Sequence, residues 1–221
     1  MKDNLYTKYF KNRNETLKNS LKSHNSSRVF ETFLSALSYF DYKTINKQDF
    51  VVDLGCGDRS FVKFIETKGI RSRGIDIDDG INFEFDQLPL DDNSVDHIIS
   101  NSVIEHINNP EVFLKEVKRI LKNEGNFILV TPNFKYGYDD FYDDPTHVKP
   151  YTDTSIQKLL EMFEFKKVQV LPWFVKKPNF YWKLPKKFLI GKFIPFRGDA
   201  PKLIPEFLKG QTKSMLVICK K

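Results

Sequence analysis

Apolar positions along the chain keep two rhythms, one helical and one alternating. Val29, Phe30, Phe33, Leu34, Leu37 and Phe40 fall at helical spacing, with Ser26 or Ser27 as N-cap. Asp49 to Leu54 is a short buried strand running into Gly55-Cys56-Gly57. A helical pattern follows through Phe61, Phe64 and Ile65, and Gly69 stops it. Strands are predicted at Arg71 to Ile77, near Ile81 to Phe85, and at Val95 to Ser100. Pro110 opens an amphipathic helix through Val112, Phe113, Val117, Ile120 and Leu121 that Gly125 ends, and Asn126 to Thr131 is the next strand. Thr152 caps a helix through Ile156, Leu159, Leu160 and Phe163, before strands at Lys166–Leu171 and Met215–Cys219. Residues 4–22 are polar, with apolar positions sparsely placed as on a surface helix. This alternation predicts an α/β fold: an open, seven-stranded, mostly parallel sheet covered by helices on both faces.

At 221 residues the chain suits one domain with elaborations. Its parts are N-terminal helices (1–45), a core (46–171), a basic aromatic insertion (172–213) and a final strand (214–221). Phe and Tyr together supply 30 residues, so a core needs no disulfide or metal. Cys56 and Cys219 form no spacing pattern, which excludes a disulfide scaffold or a Cys-based zinc module and fits a reducing, cytoplasmic setting. Met1 to Phe10 has no apolar run of signal-peptide length, and no stretch approaches 18 apolar residues, so neither secretion nor membrane spanning is expected. The net charge of +6 divides unevenly: residues 29–172 carry 16 basic against 25 acidic side chains, and the basic excess lies in the flanks. An acidic body argues against nucleic acid as a partner.

The sharpest motif is Val51-Val52-Asp53-Leu54-Gly55-Cys56-Gly57. A strand enters a turn whose glycines admit close backbone approach, and a helix follows, turning N–H groups toward a ligand. Asp53 can accept from a cationic amine or ordered water, and Asp76 at the next strand end can accept both hydroxyls of a ribose. A G-x-G turn also occurs in dinucleotide-binding proteins, but Ser60 stands where their third glycine would be.

Residues 51–131 resemble a class I S-adenosylmethionine-dependent methyltransferase of the type that modifies small molecules. The first motif matches at Val51 to Gly57, with Arg59 in place of a third glycine. Gly74-Ile75-Asp76-Ile77-Asp78 resembles the second, whose acid holds the ribose. Phe85-Asp86-Gln87-Leu88-Pro89-Leu90 is similar to the third, which implies that Asp86 accepts from the adenine amino group while Gln87 and Leu88 line the base. Ser100-Asn101-Ser102-Val103-Ile104-Glu105-His106-Ile107 resembles the fourth, beside the transferred methyl group. The resemblance implies a Rossmann-like sheet with the last strand antiparallel, and cofactor contacts from Asp53, Gly55, Cys56, Gly57, Asp76, Ile77, Asp86, Gln87, Leu88 and Asn101, with S-adenosylhomocysteine as product.

An oxygen nucleophile must lose a proton, and histidine is the usual acceptor. His24 reads as a surface residue and His97 as a structural one beside Asp96. His106, next to Glu105, and His147, in the polar loop before Thr152, are the catalytic candidates. The Glu105-His106 pair with a distant histidine also resembles metal-assisted O-methyltransferases, such as the plant small-RNA 2′-O-methyltransferase and some ubiquinone-pathway enzymes. There a glutamate three residues before the pair completes the site; Ser102 stands here, leaving Glu105, His106 and His147 for a weak divalent metal.

Residues 173–213 interleave nine lysines and Arg197 with aromatics such as Trp173, Tyr181, Trp182 and Phe188. The segment reads as a substrate lid, as a peripheral contact with an anionic membrane, or, least well, as a single-stranded RNA surface. The expected function is methyl transfer, to oxygen before nitrogen or carbon, on a small-molecule, saccharide or lipid-linked acceptor. The rivals are a nicotinamide-dependent oxidoreductase and a non-catalytic binding module.

Overall fold

The computed structural model describes residues 24–173 and 209–221, together with Tyr9, Phe196 and Arg197. Helix α1 (His24–Tyr39) precedes β1 (Phe50–Leu54), α2 (Ser60–Thr67) and β2 (Arg71–Ile75). Then come β3 (Val95–Asn101), α3 (Glu111–Ile120), β4 (Leu121–Pro132), the single turn α4 (Phe134–Gly137), α5 (Asp153–Met162) and β5 (Lys166–Pro172). Two short strands, β6 (Phe196–Arg197) and β7 (Lys209–Gln211), form a separate parallel ladder before β8 (Ser214–Lys220). The main sheet has the order β2-β1-β3-β4-β8-β5. Its first four strands are parallel, and β8 runs antiparallel to both neighbours.

Alternation along the strands divides the core in two. Val52, Leu54, Ile98, Phe127, Leu129 and Val217 join Phe113, Leu114, Val117 and Ile120 of α3 and Ile156 and Leu160 of α5 on one face. Val51, Ile99, Ile128, Val130, Leu216 and Ile218 meet Phe30, Phe33, Ala36 and Leu37 of α1 and Ile65 of α2 on the other. Trp173 stacks on Phe33 at 5.4 Å between ring centroids, fastening the end of β5 to α1.

The main sheet has six strands rather than seven. Ile81–Phe85, expected as a strand, turns instead, because its polar groups are satisfied locally. The Asn82 carbonyl accepts from the N–H groups of Phe85 and Asp86, and the Asp86 carboxylate accepts from the Asn82 N–H at 2.7 Å. Helix α1 begins at His24, ahead of the serines expected to cap it. Helix α3 ends at Ile120, where Leu121 turns extended and pairs with Val95, so Gly125 does not stop it. Gly125 is required for another reason: a Cβ there would lie 2.9 Å from the carbonyl oxygens of Asp96 and Lys122. Among the described residues no helix is long and apolar enough to cross a membrane. Residues 4–22, Tyr9 excepted, the side chain of His24 and most of the insertion at 172–213 lie outside the described residues.

Candidate active site

The site forms where the parallel strands release their chains at the carboxyl edge of the sheet. Asp53 is the penultimate residue of β1, in register with Gly74 and Ile99. Burial, then the charges of Asp76 and Asp58, push its carboxyl up to about 7. Gly55 turns with φ 83° and donates to the Ile75 carbonyl at 2.8 Å, holding the turn against β2. A Cβ at Gly55 would come 2.1 Å from Cγ2 of Val103, so the position admits glycine alone. The Cys56 thiol packs against Gly74, and burial, then the nearby Asp53 and Asp76 charges, push it up to about 12. Cys56 is therefore a packing group rather than a nucleophile.

Gly57 donates its N–H to Asp76 Oδ2 at 2.7 Å. Asp76 caps the turn Ile77–Asp79: its Oδ1 accepts from the Ile77 N–H, and Asp79 Oδ2 accepts from the Asp76 N–H at 2.9 Å. Burial raises the Asp76 carboxyl, against the lowering effect of the Gly57 and Ile77 N–H groups. Asp86 lies half-buried on the turn that follows, with Phe85 beside it largely exposed. Gln87 is exposed, whereas Leu88 is taken into the core. The backbone of Leu88 is held from α3, its N–H by Glu116 at 2.7 Å and its carbonyl by Arg119 at 3.0 Å. Asn101 ends β3 and is exposed.

The adjacent Glu105 and His106 come together with His147, which the sequence places far along the chain. The 3-10 turn Ile104–His106 follows β3, and the loop at 141–149 is tied to it: the N–H groups of Val148 and Lys149 both donate to the Glu105 carbonyl, at 2.9 and 3.1 Å. The two imidazole rings lie 4.8 Å apart between centroids. His106 Nδ1 lies 3.0 Å from both the carbonyl and the hydroxyl oxygen of Thr146, and the Thr146 hydroxyl donates to Asp144. His147 Nδ1 meets the Phe141 carbonyl at 2.5 Å. A carbonyl cannot donate, so both rings carry their proton on Nδ1 and the Nε2 nitrogens hold the lone pairs when neutral. The Glu105 side chain is buried and accepts from the Thr131 hydroxyl at 3.0 Å. One ligand atom from each of Glu105, His106 and His147 lies within 4.8 Å of the others. Tyr151 and Ser100 hold buried hydroxyls without a hydrogen-bond partner among the described residues. Burial, then the charge of Glu105, raises the Tyr151 phenol.

The residues that sequence reasoning missed are Thr131, Phe141, Asp144, Thr146 and Tyr151. The run Asp144-Pro145-Thr146 has the composition of a side-chain-capped turn, which was its one local signal.

The edge is rich in acceptors: Asp53 and Asp76 are buried carboxylates, both raised by burial, with the Asp76 charge adding to the rise at Asp53. Such a cradle fits a ligand that brings positive charge and hydroxyl or amino donors, as S-adenosylmethionine does.

The family described as "Methyltransferase domain" matches residues 21–170. A probable S-adenosylmethionine-dependent methyltransferase of Mycolicibacterium smegmatis is 29% identical over 132 residues, 52% of this chain and 51% of that protein. An uncharacterised protein of Methanocaldococcus jannaschii is 33% identical over 117 residues, 48% of this chain and 49% of that one. The chain thus spans about half the length of the curated relatives it matches. A crystal structure of a SAM-dependent methyltransferase from Archaeoglobus fulgidus shares the fold, with a TM-score of 0.56 at 20% identity over 89% of this chain and 94% of that one. The family match covers well over half of the sequence, and the chain belongs to this methyltransferase-domain family, within the class I S-adenosylmethionine-dependent methyltransferases.

Proposed function

We propose that the protein transfers a methyl group from S-adenosylmethionine to an oxygen of a small-molecule, saccharide or lipid-linked acceptor. The observation that carries the reading is the histidine pair: two imidazoles at the cofactor edge, each with Nδ1–H committed to a backbone carbonyl. When bound, the cofactor supplies an electrophilic methyl group on a sulfonium. The chain holds it through Asp53, the turn Gly55-Cys56-Gly57, Asp76, Ile77, Asp86, Gln87, Leu88 and Asn101. His147 presents its basic nitrogen to the acceptor hydroxyl, the buried Nε2 of His106 lies beside it in the pair, and Glu105 steadies the positive charge that proton uptake leaves there. Positioning of nucleophile and methyl group is the larger part of such catalysis, about 7–11 kcal/mol where the geometry is held.

Thermal-shift titration with S-adenosylhomocysteine and NAD in parallel tests the cofactor. At about 100 times the dissociation constant, binding adds about 2.7 kcal/mol. For a chain of this size that raises Tm by roughly 5–10 °C. A shift with S-adenosylhomocysteine alone, lost in Asp76→Ala, is expected; a shift with NAD instead defeats the reading. With an acceptor found by screening, His106→Ala and His147→Ala lower kcat by about 100-fold or more.

A second reading gives Glu105, His106 and His147 a divalent cation, supported by their clustered ligand atoms. Purified protein that carries no stoichiometric metal and keeps its turnover in a chelator defeats it. For residues 173–213, lysines interleaved with aromatics support peripheral contact with an anionic membrane. Sedimentation with liposomes that is indifferent to anionic lipid rules that out.

A further inference from the structure

The turn after β1 places Arg59 where the methyltransferase pattern has a third glycine, yet Arg59 keeps a glycine's backbone, with φ 61° and ψ 13°. A residue with a Cβ is strained in that conformation, and its side chain makes no capping bond to α2. Its guanidinium reaches across to the other loop of the site instead. Nη2 lies 2.5 Å from Asp79 Oδ1, and Nη1 lies 3.5 Å from the Gly74 carbonyl. Asp79 divides its two oxygens: Oδ1 takes Arg59, and Oδ2 takes the Asp76 N–H. Asp76 in turn accepts from Gly57, two residues before Arg59. The contacts close a ring, Gly57 to Asp76 to Asp79 to Arg59 and back along the chain, with Asp76 as one of its links.

We infer that Arg59 is a positioning residue for the cofactor: through Asp79 it pre-forms the Asp76 site and sets the affinity for the ribose-bearing ligand. The inference rests on the reading of Asp76 as the ribose acid. Both partners are substantially exposed, with side-chain accessibilities of 43% and 37%. Such a pair adds little to global stability and is screened by salt. Its effect falls on the ordering of two loops, a cost the ligand must otherwise meet on binding.

Calorimetric titration of S-adenosylhomocysteine into the full chain, at low and high salt with Tm recorded alongside, tests this. The variants are Arg59→Gly, Arg59→Lys, Asp79→Asn and Asp76→Ala. Arg59→Gly suits the backbone without strain, so Tm stays at or above wild type while Kd rises about fivefold. The salt dependence of wild-type affinity disappears in Arg59→Gly, and Arg59→Lys recovers part of the low-salt affinity. An unchanged Kd in both Arg59→Gly and Asp79→Asn, with binding lost in Asp76→Ala, overturns the latch and leaves the cofactor site standing. An unchanged Kd in Asp76→Ala removes the ribose assignment and the latch with it.

Discussion

The two ends of the central strands treat the same side chain in opposite ways. At the amino ends, Asp96 receives the Phe50 N–H at 3.0 Å and pairs with Lys43 at 2.8 Å and Lys122 at 2.7 Å. Burial alone would raise its carboxyl, but Lys122, Lys43 and the Phe50 N–H bring it down to about 2. Asp49 pairs with Lys43 and with the fully buried His97, whose other nitrogen meets Asn126 at 3.1 Å. Burial holds His97 below its ordinary value, so it remains a neutral structural group. Three residues further along β1 and β3 these partners stop. Asp53 is as buried as Asp96, pairs with no cation among the described residues, and stands near 7. One end of the sheet is built for stability, and the other keeps its electrostatic demand open for a ligand.

The largest expected effect comes from disturbing the geometry of the open end. Gly55→Ala drives a methyl group into Val103 and forces a left-handed alanine, a loss of about 3 kcal/mol in urea denaturation together with loss of S-adenosylhomocysteine binding. Asp96→Ala strands the buried Phe50 N–H and frees two lysines. It costs about 2–3 kcal/mol and leaves cofactor affinity as in wild type. Asp53→Asn reverses that pattern: with the unpaired charge gone, the free protein gains about 1 kcal/mol at pH 8, while calorimetric affinity for S-adenosylhomocysteine falls at least about tenfold. If Asp53→Asn destabilises the free chain, the contrast between the two ends is wrong.

The pH dependence sharpens the comparison further. Asp53 binds its proton more tightly folded than unfolded, so its contribution weakens the fold as pH rises from about 4 to about 7 and is constant above. Asp96 acts in the opposite sense: its contribution is complete above about 4 and is lost as pH falls toward about 2. A ligand amine prefers ionised Asp53. Affinity for S-adenosylhomocysteine therefore drops below pH 7, and binding near neutrality releases protons that calorimetry in buffers of different ionisation enthalpy detects.

Much of this was legible in the sequence where the signal was local. Val51 to Gly57 carries the strand and the turn within seven residues, with the helix starting three residues on at Ser60; the α5 stripe matches the face it buries, and Phe113, Val117 and Ile120 of the α3 stripe do so too. The differences have two causes, one local and one distant. Apolar alternation at Ile81–Phe85 looked like a strand, but Asn82 and Asp86 consume the backbone groups that pairing needs. Gly125 looked like a helix stop, whereas distant backbone, from Asp96 at the start of β3, dictates it. His106 and His147 are each visible, but their shared face depends on the Thr146 carbonyl, 40 positions from His106, and on the Phe141 carbonyl, which holds His147 within its own loop. Contacts across such distances leave no periodicity to read.

The absent third strand leaves β2 as the margin of the sheet, with no further strand beyond it among the described residues. A bare margin invites a second chain to add itself and grow into fibrils. Here it is guarded by arginines at alternate positions: Arg71 lies over the Phe50 ring at 4.2 Å, and Arg73 donates to the Pro89 carbonyl at 3.1 Å. An incoming strand would have to strip water from two guanidinium groups to seat itself. Having given up a strand, the fold shields that margin through charge.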